Sequence, residues 1–272
     1  MRGMGLECCA GVRAVAQAGP WVANEAWWRY DAAMELIPAP SPNFDARTAP
    51  PDMIVLHYTG MPTGQAAIAR LRDPDARVSA HYVVEEDGRV FSLVAEERRA
   101  WHAGVSVWKG RRNLNGVSIG IEIVNPGHEF GYRPFPEAQV AAVIELVGDI
   151  RSRWTIDDNQ IVGHSDVAPD RKDDPGELFP WKRLAEAGHG FWVEVPAAPG
   201  LPLGEGENGP GVFALQAGLT RLGYDCAPSG EYEPRTATVV RAFQRHWRPE
   251  RIDGVADGET RARLIALLRL GA

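Results

Sequence analysis

The chain has 272 residues, 44% of them hydrophobic, and a formal net charge of −7 with a pI near 5.6. That length accommodates one large domain or a core domain with a small companion, and the composition is that of a globular chain. The acidic balance and the lack of a long basic run exclude nucleic acid as the expected partner, and no stretch reaches the length of about 18 apolar residues that a membrane span needs.

The elements follow in chain order. Residues 1–34 lack a clear period and read as an arm outside the core, although Trp21, Trp27 and Trp28 give it some capacity to pack. This stretch has an early Arg2 but no continuous apolar run, so it makes a poor signal peptide. "DMIVLHYTG" (52–60) is a buried-strand run carrying His57 to its end. "TGQAAIARLRD" has helical spacing with Thr63 as N-cap. "SAHYVVEEDGRVFSLV" predicts a hairpin turning at Asp87-Gly88. "GVSIGIEIVNPG" is a central strand interrupted by Glu122, and a long amphipathic helix is expected from about Pro136 to Arg153. "QIVGH" is a short strand that delivers His164 to a polar loop, "GHSDVAPDRKDDPG". Alternating strands and helices predict an α/β or α+β layer on one mixed sheet.

Near residue 196 the composition changes. "PAAPGLPLGEGENGP" (196–210) reads as a linker or an irregular connection, separating a domain at 35–195 from a helical one at 211–272. The latter holds three helical patterns, Val212 to Leu222, Pro234 to Trp247 and Gly258 to Leu270.

Chemistry gathers around a few side chains. Cys8, Cys9 and Cys226 form neither a disulfide framework nor a CxxC site, so a metal would use histidine and carboxylate. His57, His164 and Asp174 are ligand types for a catalytic zinc ion that keeps one position open. Their spacing alone is weak, because the chain has seven histidines and no local HExxH pair. Glu122 has two readings: a carboxylate poised at a site, or the polar face of a strand in which Ser118, Gly120 and Glu122 alternate with Ile119, Ile121 and Ile123. Lys172 is either a solvated loop lysine or an oxyanion stabiliser.

Taken in order, "IVLHYTG", "SAHYVV", "AWHAG", "NLNGVSIGIEIVNPG" and "VGHSDVAPDRKDDPG" resemble the zinc-dependent N-acetylmuramoyl-L-alanine amidases of the AmpD-like, type-2 family, over about residues 35 to 190. The resemblance implies a mixed central sheet with surrounding helices, similar to peptidoglycan recognition proteins and phage amidases. It implies one zinc ion on His57, His164 and Asp174, with Asp174 preferred over Asp173 because the family places its ligand directly before Pro-Gly. Glu122 and Lys172 match the family's catalytic glutamate and lysine. His102, Asn115 and Arg171 are expected to contact substrate, Asp166 to brace the loop, and His81 to stand behind the ligands. The implied reaction is hydrolysis of the bond between the lactyl group of N-acetylmuramic or anhydromuramic acid and L-alanine, with peptidoglycan or anhydromuropeptide as the partner. A non-catalytic wall-sensing protein of the same fold is the alternative.

The tail, from "LQAGLTRLGYDCAPSG" through "IDGVADGETRARL", resembles the type 1 peptidoglycan-binding domain at Gln216, Leu219, Gly223, Tyr224, Phe243, Gln244, Asp253 and Gly254, departing from it at "RPER". A wall-binding tail points to the periplasm. The arm without an export signal and the unpaired cysteines point to the cytoplasm, which is the expectation adopted.

Overall fold

The computed structural model describes residues 34–196 and 199–271, so the expectations placed on Cys8, Cys9 and the Trp21, Trp27 and Trp28 cluster lie outside the described residues. In chain order the elements of the first part are β1 (Leu36–Pro38), β2 (Phe44–Ala46), β3 (Met53–Tyr58), α1 (Gly64–Arg72), β4 (Tyr82–Val84), β5 (Val90–Ser92), β6 (Arg98–Ala100), β7 (Val107–Trp108), β8 (Arg111–Arg112), β9 (Ser118–Ile123), α2 (Gly127–Phe130), α3 (Glu137–Arg153), β10 (Ile161–Gly163), α4 (His164–Val167) and α5 (Trp181–Glu186). Three longer helices close the chain: α6 (Pro210–Leu222), α7 (Pro234–Trp247) and α8 (Gly258–Leu270).

A six-stranded sheet in the order β1-β5-β4-β9-β3-β10 forms the centre. β4, β9, β3 and β10 run parallel, while the β4–β5 hairpin supplies the antiparallel pair. Parallel central strands are covered on both faces, which explains the unbroken apolar run of β3. Its side chains divide by parity. Ile54 and Leu56 join Ile119, Ile121, Ile123 and the α3 residues Val140, Val143 and Val147 in one core. Met53 and Val55 join Val162 and the apolar residues of α6 to α8 in the other. Gln139 of α3 is buried, and its amide donates to the carbonyls of Val84 and Val124, which pins the helix across β4 and the end of β9.

The hairpin turns at Asp87-Gly88, and Thr63 caps α1 by accepting from the Ala66 amide. β1, β2, β6, β7 and β8 are absent from the sequence reading: strands of two or three residues are too short to show a period.

Two buried glutamines organise the C-terminal helices. Gln216 accepts from the Gly230 amide and donates to the Glu231 carbonyl; Gln244 accepts from the Gly254 amide and donates to the Val255 carbonyl. Each thereby fixes a turn at a glycine with positive φ, at 82° and 75°. Within the 196–210 stretch, Leu203 bridges to Ala256 and Asn208 to Glu231, and the described residues form one compact unit.

Candidate active site

The parallel pairing of β3 with β9 and β10 brings distant residues to one strand end. Register places His57 beside Glu122, and Gly163, the residue before His164, beside Leu56. On β9 the face with Ser118, Gly120 and Glu122 forms the floor of a site. The His102 ring lies so close over Gly120 that an added Cβ would stand 2.4 Å from its Cγ. A side chain at position 120 is therefore excluded by the ring above it.

His57, His164 and Asp174 are all buried, and one donor atom from each converges. His57 Nδ1 lies 2.9 Å from His164 Nδ1 and 2.9 Å from Asp174 Oδ2, and His164 Nδ1 lies 3.0 Å from that oxygen. The Ser165 amide donates to the Asp174 carbonyl at 2.8 Å, tying the two loop positions together.

The surrounding hydrogen bonds suit one set of tautomers. His164 Nε2 lies 3.1 Å from the Ala103 carbonyl and 3.3 Å from Arg171 Nη2; a proton on Nε2 satisfies the carbonyl and leaves Nδ1 as an acceptor. The Ser118 hydroxyl donates to the Leu114 carbonyl and so accepts from His102 Nε2; His102 Nδ1 then accepts from His57 Nε2 at 3.0 Å. His57 Nδ1 is then an acceptor as well. Burial and the neighbouring His164 push the His57 imidazole down to about 4, so the ring stays neutral at physiological pH. Burial raises the Asp174 carboxyl, but the facing His164 and His57 rings outweigh it and hold the group ionised, below the usual carboxylate range. With the ring protons on the outward nitrogens, His57 Nδ1, His164 Nδ1 and Asp174 Oδ2 offer three acceptors to one place. That is a donor set for a cation, and its outer partners are those expected behind metal-binding histidines.

Glu122 and Lys172 line the same cavity, of about 200 Å³, with His57, His102, His164 and Asp174. Glu122 Oε2 is enclosed and has no hydrogen-bond partner. Burial pushes this carboxyl up to about 8, the Asp174 charge adds to the rise, and Lys172 opposes it. A carboxyl with an enclosed, unpartnered oxygen and a raised pKa in a cavity makes Glu122 a candidate functional residue.

The other residues singled out from sequence occupy different places. His81 accepts from the Gly120 amide at Nδ1 and packs edge-on to His102, behind the site. Asn115 is buried, and its side-chain oxygen accepts from the His102 and Ala103 amides, so it holds the loop from behind rather than facing the cavity. Arg171 donates to the carbonyls of Ala103 and Val105, stapling that loop to the 163–176 segment. These bonds use the Asn115 side-chain oxygen and the Nε and Nη2 of Arg171, two residues that the sequence reading places against substrate. Asp166 is fully buried and accepts from the Gly163 amide. Asp173 is exposed and pairs with Arg245. Sequence reasoning missed Ser118, which sets the His102 tautomer, and Trp101 and Arg70 in the cavity wall. Nothing local in the sequence distinguishes them.

Fold and site together are those of a hydrolase in which His57, His164 and Asp174 could hold a metal ion. The chain matches the family model described as N-acetylmuramoyl-L-alanine amidase over residues 47–177 and that of a peptidoglycan binding domain over residues 208–264. It is 40% identical over 230 residues to N-acetylmuramoyl-L-alanine amidase AmiD of Escherichia coli (strain K12), covering 79% of this chain and 82% of that protein. With 1,6-anhydro-N-acetylmuramyl-L-alanine amidase AmpD of Haemophilus influenzae it shares 36% identity over 163 residues, 53% of this chain and 86% of the relative. The solved complex of E. coli AmiD with anhydro-N-acetylmuramic acid-L-Ala-D-gamma-Glu-L-Lys superposes with a TM-score of 0.69 at 37% identity, covering 83% of this chain and 92% of that one. Pseudomonas aeruginosa AmpDh3 in complex with anhydromuramic pentapeptide gives 0.68 at 34% identity, covering 82% of this chain and 93% of that one. The chain belongs to the N-acetylmuramoyl-L-alanine amidase family. Among the described residues no helix is long and apolar enough to cross a membrane.

Proposed function

We propose that the protein hydrolyses the amide bond between the lactyl group of anhydro-N-acetylmuramic acid and L-alanine in peptidoglycan-derived muropeptides, with one zinc ion held by His57, His164 and Asp174. The observation that carries this reading is the convergence of one ligand atom each from His57, His164 and Asp174 beside Glu122, whose Oε2 is enclosed and unpartnered. Two imidazoles and one carboxylate match the ligand preference of catalytic zinc. When bound, zinc supplies Lewis acidity toward a carbonyl and lowers the pKa of water.

The chain's own groups do the rest. Burial is the larger influence raising the Glu122 carboxyl; a cation on Asp174 would counter the smaller one and act in the same direction as Lys172, favouring the ionised form. As a carboxylate, Glu122 takes a proton from the attacking water and returns it to the departing amine of L-alanine. Lys172 offers its ammonium group to the carbonyl oxygen as negative charge develops there. His102 keeps its proton on Nε2 and thereby keeps His57 Nδ1 available for the metal. The 163–176 segment thus contributes two metal ligands and a charge-stabilising lysine from one short turn. The helical module at 211–272 adds affinity for peptidoglycan strands.

The test is a digest of anhydromuropeptide and of intact sacculi, side by side, with zinc-loaded and chelator-stripped protein, followed by mass spectrometry. Zinc-dependent release of peptide beginning with L-alanine is expected, with the soluble muropeptide preferred. Bound zinc with no cleavage of either substrate would favour a recognition protein instead.

A further inference from the structure

The C-terminal helices reach the back of the metal-ligand turn. Asp166, two residues after His164, is 0% exposed, and its carboxylate collects the Gly163 amide at 2.8 Å, the Tyr224 hydroxyl at 2.5 Å and His246 Nδ1 at 2.7 Å. Two of these three partners come from the helical module. The His246 ring is stacked between Trp181 of α5, at 3.7 Å between centroids, and Trp247, at 3.8 Å, so it cannot swing away from the carboxylate. Around this centre Arg235 pairs with Asp170, and Arg245 pairs with Asp173 at 2.8 Å. Those outer pairs are exposed on their acidic side and contribute little, whereas a buried carboxylate stripped of donors is strongly unfavourable.

We infer that Tyr224 and His246 are positioning residues for the metal site: through Asp166 they hold α4, and with it His164, in register with His57 and Asp174. The turn has little slack to absorb their loss. A Cβ at Gly163 would lie 2.8 Å from the Pro175 ring, so the strand end carrying His164 is packed directly against the segment carrying Asp174. Functional constellations need their members held to within about 0.5 Å, and displacement of α4 moves one ligand without the other two. The module described by its family as peptidoglycan-binding therefore also completes the hydrolytic site. This inference rests on the metal reading above.

The experiment uses the full chain. Tyr224→Phe and His246→Phe each keep a ring and remove one donor to Asp166. Zinc release into excess chelator is followed together with kcat and KM on soluble anhydromuropeptide, a substrate that needs no attachment to the polymer. Release is expected to accelerate about 10-fold or more in each variant, in the range seen when groups behind metal ligands are altered, with kcat lowered and KM little changed. His246→Asn, whose amide can donate where Nδ1 does, is expected to recover part of the loss, and it carries the same test if the phenylalanine variant does not fold. Arg248→Met serves as the stability control: it breaks pairs with Asp257 and Glu259 inside the module and leaves Asp166 untouched. It should lower Tm while zinc release stays at the wild-type rate. Wild-type release in folded Tyr224→Phe and His246→Phe overturns the inference, as does equal acceleration in Arg248→Met. A wild-type chain that binds no zinc removes the metal reading itself, a result distinct from either.

Discussion

At the scale of single residues, Glu122 and His57 sit side by side in the β3–β9 register yet have separable tasks. Glu122→Gln keeps the size of the side chain and removes its basicity. It should retain zinc by elemental analysis and lose turnover by a factor on the order of 100 or more, the range of general-base contributions. Wild-type turnover in the metallated variant would take Glu122 out of the reaction. His57→Ala deletes one of three donors, so zinc content should fall sharply; a stoichiometrically loaded variant contradicts the ligand set. Lys172→Met should lower kcat on the order of 100-fold with zinc retained, because its charge acts as the carbonyl oxygen becomes negative. Histidine at strand ends and a carboxylate inside an isoleucine run make these positions candidates, but pattern alone leaves each with a second reading, and the order of the five motifs is what assigns them roles. What the sequence could not display is the direction of Asn115 and Arg171. The path of the backbone around Ala103 brings the Asn115 oxygen to an amide and an Arg171 nitrogen to a carbonyl, contacts that residue type does not announce.

Elements were legible in proportion to their length. The six-residue β3 and β9 and the 17-residue α3 carry enough period to be placed from sequence. The short β2 and β6 pair with each other without any such signal. The site depends on a long-range event, the parallel pairing that joins His57 to His164 across 107 positions, which no local pattern encodes. α3 is also fastened through a side chain that sequence reading passed over. Glu96 is buried and accepts from Tyr82, from Arg153 at the end of α3, and from Trp154. Burial alone would raise its carboxyl, but the Arg153, Trp154 and Tyr82 donors outweigh this and hold it below the usual range. Stability from this group is therefore full above the unfolded carboxylate value and is lost as pH falls through the lower folded value. Glu96→Gln should cost about 2–3 kcal/mol near neutral pH, as for hydrogen bonds to a charged group, and the gap to wild type should narrow in denaturant titrations below pH about 4. A gap that does not change with pH would show that the charge on Glu96 is unimportant.

For the whole molecule, the second core runs from Met53 and Val55 of the sheet into Val212, Leu219, Val240 and Phe243 of the helical module. A shared apolar core predicts shared unfolding. Calorimetry should give one transition for the sheet and the helices together, and stripping zinc should lower its midpoint as a whole, since a ligand bound only by the folded state adds about 4 kcal/mol at 1,000 times its Kd. Two transitions, of which only one responds to metal, would show that the module stands apart from the site. The composition change near residue 196 reads as a linker or an irregular connection, and the Asp166 cluster and the bridge from Leu203 to Ala256 join what lies on either side of it. These contacts involve residues far apart in sequence whose types suit core and surface equally.

The most direct test of the account is a zinc titration of the chelator-stripped chain on anhydromuropeptide, with release of peptide beginning with L-alanine read by mass spectrometry. Activity should rise from background in proportion to added zinc and level off at one equivalent per chain, while the Glu122→Gln chain takes up the same equivalent and stays at background. Full activity in the stripped chain, or none after one equivalent has bound, would contradict it.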